Sequence, residues 1–169
     1  MRKLFEAQSL NRAIVQPNEL IRQVALVAGR DLEGKGIELS VDLDPHAPEL
    51  AVDAIQIQDL LLNLLRNASA SFKPRFEAPN TVTVRSRAHD QYLVIEVEDN
   101  GTCLRDPEKV FETFYNSTHA ELQMGLAVSR SIALSHSGTL VAEQRQPVGM
   151  RFRLTLPLRH LEDSSPEAL

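Results

Sequence analysis

Twice between residues 81 and 98 the chain alternates apolar and polar side chains with period two, in TVTVRSR and then YLVIEVE, with a short connection through His89-Asp90-Gln91. Two such runs so closely joined read as a β-hairpin with one buried face. The segment before it keeps a different period. Residues 54 to 72 place Ile57, Leu61, Leu64, Leu65 and Ala68 on one helical face and Asp59, Asn63 and Asn67 on the opposite one. KPRFEAPN, residues 73 to 80, has two prolines and reads as the loop between them. A hairpin needing cover and a helix with an apolar stripe predict a sheet and a helical layer packed together.

The remaining segments follow the same two periods. Pro17 and Asn18 open a helix carrying Leu20, Ile21, Val24, Val27, Ala28 and Leu32, which Gly34-Lys35-Gly36 ends. Ile37, Leu39, Val41 and Leu43 then alternate as a strand up to Asp44-Pro45. Residues 99 to 124 show no pattern, 125 to 136 read as a helix ending near Gly138, and strands are expected at 139 to 144 and 150 to 157. The expected fold class is α/β, a two-layer sandwich of a mixed sheet with helices on one face. Its domain runs from 17 to 158, with an N-terminal segment at 1 to 16 and a polar tail at 159 to 169.

Charge and cysteine content narrow the function classes. The net charge is -5 and no basic run exists, so the electrostatic footprint of a nucleic-acid binder is missing. Cys103 is the only cysteine and cannot form an internal disulfide. The start MRKLFEAQSLNRAIVQ lacks the apolar core of a signal peptide, and no run approaches the ~18 apolar residues of a membrane span. A soluble protein of the reducing cytoplasm is expected, with neither nucleic acid nor membrane as partner.

Four short segments carry candidate chemistry. Asn63 and Asn67, four apart in LLLNLLRNA, project from one helix face, and amide oxygens are hard, neutral ligands suited to Mg²⁺. A solvated helix face would hold the same pair. VIEVEDNG ends a buried-looking strand in Asp99 and Gly101: an acid at a strand mouth can accept hydrogen bonds from a base amino group, and glycine lets backbone approach a flat ring. Asp-Asn-Gly is equally an ordinary turn. Phe111-Glu-Thr-Phe114-Tyr115 precedes Asn-Ser-Thr, aromatics that taken singly belong to a core. Met124-Gly125-Leu126 opens the expected helix, where backbone N–H groups could meet a phosphate.

Taken in order, these segments resemble the catalytic and ATP-binding domain of bacterial sensor histidine kinases, in the superfamily with DNA gyrase, heat-shock chaperones and MutL, and most closely the oxygen-sensing and nitrogen-regulation kinases. QIQDLLLNLLRNASASF is similar to the N box, VEDNG to the first glycine box and VFETFYNST to the F box. MGLAVSRSIALSHSGTLVAE and GMRFRLTLPL resemble the second glycine box and the closing strands. The resemblance implies a Bergerat-type ATP-binding fold over residues 17 to 158, with ATP or ADP and Mg²⁺ as cofactors. By it, Asn67 would bind the nucleotide-associated Mg²⁺, Asn63 would sit beside the phosphates, and Asp99 would hold the adenine amino group. Gly101, Gly125 and Leu126 would line the same pocket. Hydrolysing members of the superfamily place a glutamate where Asn63 stands, and an amide cannot act as a general base.

The chain departs from the family pattern in its glycines. Cys103 replaces the second glycine of the first box, and the lid pattern G-x-G-x-G is reduced to Glu121, Gln123 and Gly125. Glu121 adds negative charge near the expected triphosphate. The family also places an acceptor histidine on a two-helix hairpin upstream, for which about 16 residues leave no room. His46, His89, His119, His136 and His160 all read as surface or packing residues.

Two functions from different classes remain. One is the ATP-binding domain of a sensor kinase, separated from its acceptor. The other is a non-catalytic relative that binds a sensor kinase's dimerisation domain or a response regulator, with Phe111, Phe114 and Tyr115 as contacts. An anti-sigma serine kinase of the same superfamily is disfavoured, since that group too would need glutamate where Asn63 stands.

Overall fold

The computed structural model describes residues 10–73, 78–112 and 120–158, with the backbone alone for 120–123. Among the described residues seven strands and three α-helices follow one another as β1 (Ala13–Val15), α1 (Pro17–Gly34), β2 (Ile37–Asp42), β3 (Leu50–Val52), α2 (Ala54–Ala70), β4 (Asn80–Ala88), β5 (Tyr92–Asp99), α3 (Ala120–Ser135), β6 (Thr139–Gln144) and β7 (Met150–Pro157). A 3₁₀ turn, Pro107–Phe111, comes before α3 in the chain. Strands β2, β4, β5, β7 and β6 form one mixed sheet in that order, with only β2 and β4 parallel. The helices cover one sheet face, as the two periods predict. Among the described residues no helix is long and apolar enough to cross a membrane.

Local chemistry sets the helix ends. Pro17 sits in the first turn of α1, where a missing N–H costs nothing. Gly36, with φ at +71°, takes the left-handed conformation that turns the chain from α1 into β2. Asp53 caps α2 by accepting from the Gln56 N–H at 3.2 Å. The stripe of α2 is fully inside: Leu60, Leu64 and Ala68 are 0% exposed, and they share one hydrophobic core with Val82, Leu93, Phe152 and Leu154 of the sheet. Each such aliphatic side chain contributes about 1.5–3 kcal/mol by leaving water.

The other sheet face is covered by its own charges. Arg85, Arg145 and Arg151 converge on Glu98 with Arg–carboxylate distances of 2.7, 3.3 and 2.7 Å, leaving that carboxylate 3% exposed. Burial alone would push the Glu98 pKa up. Hydrogen bonds from Arg85 and Arg151 outweigh it, so the net direction is down.

Three features differ from the sequence reading. β1 and β3 pair antiparallel, Ala13 opposite Val52, as a separate two-stranded sheet too short to show a period. Burial fades along β2 from Ile37 to Val41, which is 40% exposed, because β2 is an edge strand overlain by α1 alone. α3 begins at Ala120 and not at residue 125, since Ala-Glu-Leu-Gln-Met are all good helix formers. Phe114, Tyr115, His119, His160, residues 1–9 and the tail from 159 lie outside the described residues.

Candidate nucleotide site

α2 is the spine of the site, and its last turn ends against β5. Asp99, the final residue of β5, is 1% exposed. Its Oδ1 accepts the Gly101 N–H at 2.8 Å, and the Ser71 hydroxyl lies 3.2 Å away. That hydroxyl is also 2.8 Å from the Ala68 carbonyl, so its one proton serves a single acceptor at a time. Burial is the largest influence on the carboxyl, and it prevails over the Gly101, Ser71 and Met150 donors, raising the pKa to about 6.

Two glycines allow close backbone packing here, Gly101 against Ser71 and Gly149 against Asp99. A Cβ on Gly101 would collide with the Ser71 hydroxyl and stand 2.9 Å from the Ser71 carbonyl oxygen. Gly149 has φ of +112°, and a Cβ there would collide with the Asp99 carbonyl oxygen. Thr102 locks the same corner, its N–H and hydroxyl both donating to the Ser71 carbonyl at 3.0 and 2.8 Å. The β6–β7 turn, the loop after β5 and the end of α2 therefore meet at one carboxyl.

Asn63 faces a different neighbour. Its amide nitrogen donates to the Gly125 carbonyl and to Ser129 Oγ, both at 3.2 Å, and a Cβ on Gly125 would press on that amide at 3.3 Å. Asn67, one turn on, is half-buried and its amide bonds to no described residue. Gly125 does not open α3: it lies in the second turn, where its N–H falls within the intrahelical ladder and is not available to a phosphate. Leu126 is 2% exposed and belongs to the hydrophobic core, so only its neighbourhood is shared with the site. The Glu121 and Gln123 side chains lie outside the described residues.

The aromatic segment is also placed differently from expectation. Phe111 is 8% exposed, meets Phe152 edge-on at 6.0 Å between ring centres, and carries the Arg130 guanidinium 4.1 Å over its ring. It is a core residue and not a surface anchor. His46 and His89 are exposed, whereas His136 is 3% exposed. The Asp53 N–H donates to its Nε2 at 3.0 Å, which puts the ring proton on Nδ1, 2.9 Å from the Ile132 carbonyl that accepts it. Ser71, Ser129 and Gly149 were missed by motif and pattern. Only Gly149, between Pro147-Val148 and Met150, carries a turn signal that could have been read.

Comparison with known proteins gives the same picture. The family model of histidine kinase-, DNA gyrase B- and HSP90-like ATPases matches residues 52–160. The chain is 31% identical over 142 residues to the sensor protein FixL of Bradyrhizobium diazoefficiens, covering 83% of this chain and 28% of that protein. It spans between about a quarter and a third of the length of the curated relatives it first matches. Among solved structures, full-length ShkA in complex with AMPPNP superposes with a TM-score of 0.76 at 24% identity, covering 88% of this chain and 31% of that one. Histidine kinase ThkA in complex with the response regulator protein TrrA gives 0.74 at 23%, covering 89% and 42%. Those two likenesses speak for the fold. With a family match over more than half of its length, laid across the very segments that gather around Asp99 and the two asparagines, the chain belongs to the histidine kinase-, DNA gyrase B- and HSP90-like ATPase family.

Proposed function

We propose that the chain is the ATP-binding domain of a sensor histidine kinase in two-component signalling, holding adenine well and phosphates weakly. The observation that carries this reading is the buried Asp99 carboxyl, seated between Gly101 and Gly149 with Ser71 beneath it. A desolvated acceptor there suits the amino group of a purine. Asn67, with no bond to a described residue, suits a hard cation through its oxygen. Mg²⁺, when bound, supplies the charge that shields the phosphates of the nucleotide.

The weaker phosphate hold follows from α3. The sequence puts Glu121 and Gln123, one of them an acid, where close backbone approach to phosphate would need glycine. Asn63 supplies no general base, so hydrolysis is negligible. His136, buried and with both ring nitrogens bonded, does not serve as the phosphoryl acceptor. The partner class is the one seen with ThkA, a response regulator, or a sensor-kinase dimerisation domain.

Calorimetric titration with ATP and ADP, with and without Mg²⁺, tests this. Weak and similar affinities for the two nucleotides are expected, with Asp99→Asn abolishing both. ATP held far more tightly than ADP would refute the weakened phosphate grip, and no binding of either would favour a non-catalytic role through protein contacts alone.

A further inference from the structure

Ser129 lies on the face of α3 that packs against α2 and is 0% exposed. A buried hydroxyl needs partners. It donates to the Gly125 carbonyl one turn back at 2.8 Å, and that bond alone satisfies its proton. Its remaining lone pairs face Asn63, whose amide nitrogen is 3.2 Å away and also 3.2 Å from the same Gly125 carbonyl.

The consequence lies in Asn63. A backbone carbonyl can only accept, and Ser129 Oγ can only accept because its proton is already committed. An amide facing two acceptors must turn its NH₂ toward them, since the flipped amide would set its oxygen against two oxygens. The Asn63 oxygen is then the atom left without a bond to any described residue.

We propose that Ser129 is a positioning residue for nucleotide binding: it holds the Asn63 amide in the orientation that offers oxygen, and no N–H, to the magnesium–nucleotide complex. The inference rests on the nucleotide-binding reading above. With Asn63 presenting oxygen, this face of α2 favours the cation of the complex over its bare phosphates. Nucleotide without Mg²⁺ meets no amide donor from Asn63.

The test compares the full chain with Ser129→Ala, Ser129→Thr, Asn63→Ala and the Ser129→Ala/Asn63→Ala double variant. The quantity read is the ratio of ADP affinity with Mg²⁺ to ADP affinity without it. Ser129→Ala is expected to lower this ratio about fivefold, the scale of one neutral hydrogen bond. Ser129→Thr, which keeps the hydroxyl, restores it. Asn63→Ala lowers it too, and the double variant falls no further, because the serine acts only through the asparagine. In the nucleotide-free protein, the two Asn63 side-chain N–H resonances are expected to move together toward solvent-like values in Ser129→Ala. An unchanged ratio, an additive double variant, or Asn63 resonances that ignore Ser129→Ala overturns the proposal. Wild-type protein that binds no ADP under either condition overturns the nucleotide role, while the resonances alone still decide the amide orientation.

Discussion

Replacing Asp99 by asparagine should make the protein's stability less dependent on acid. Burial raises the pKa of the folded carboxyl to about 6, against 3.8 for the same group in the unfolded chain. That gap corresponds to about 3 kcal/mol. The folded pKa is the higher one, so the stabilising contribution is fully present below the unfolded value and is lost as pH rises through 6. Wild type should therefore gain about 2 kcal/mol relative to Asp99→Asn between about pH 7.5 and about pH 4.5. Asp42 is held low chiefly by its hydrogen bond from Arg87, and Asp44 by the Ala88 N–H. Those groups, like Glu98, lose stability in acid, but they do so in both proteins and cancel in the difference.

The chain has no tryptophan, so far-ultraviolet circular dichroism in urea is the suitable probe. The curves of wild type and variant should converge or cross as pH falls, with the change concentrated below pH 6. At neutral pH a buried, ionised Asp99 is a burden on the fold, which is consistent with retention for a ligand and not for stability. A difference that stays constant with pH, or grows in acid to the disadvantage of wild type, would show that the carboxyl is not desolvated as described.

Other perturbations read the same corner and its supports. ADP affinity should fall roughly tenfold as pH drops through 6, since a charged acceptor becomes neutral; calorimetry at several pH values checks this. Gly149→Ala combines a positive φ with a collision against the Asp99 carbonyl, and should cost about 3 kcal/mol or more; an unchanged urea midpoint would mean that the β6–β7 turn does not seat on β5. His136→Ala should cost about 3 kcal/mol, because the Asp53 N–H and Ile132 carbonyl lose their partner inside the fold, and a loss below about 1 kcal/mol would refute that accounting. Asn67→Ala should erase the effect of Mg²⁺ on ADP affinity while leaving metal-free binding in place.

Most of this architecture is legible from periods alone. The alternations at 81–87 and 92–98 and the stripe from Ile57 to Ala68 are long enough for sheet and helix geometry to impose a pattern, and β4, β5 and α2 stand where they predict. β1 and β3, at three residues each, hold too few side chains to alternate visibly. Asp99 was readable because an acid ending an apolar strand breaks the burial rule, and Asn67 because its spacing from Asn63 sets both on one face. Ser71 gave no such sign, being an ordinary residue at a helix end whose hydroxyl matters only once β5 is folded against it.

α3 shows why the pattern fails where the chemistry is. Among the described residues its buried face comprises Leu126, Ser129 and Ala133 and is continued by His136 just past its last residue, a helical spacing in which two of the four are polar. Hydrophobic periodicity therefore under-reports this face, and the glycine at 125 suggests a helix start that the preceding AELQM overrides. Each polar member is satisfied by one neighbour on its own helix and one across the interface: Ser129 by Gly125 and Asn63, His136 by Ile132 and Asp53. Apolar contact would hold α3 against α2 at many azimuths, but those two crossing bonds admit only one. The same register brings Gly125 onto the Asn63 amide, so the residues that spoil the helix's amphipathic signature are the ones that set the orientation of its candidate site.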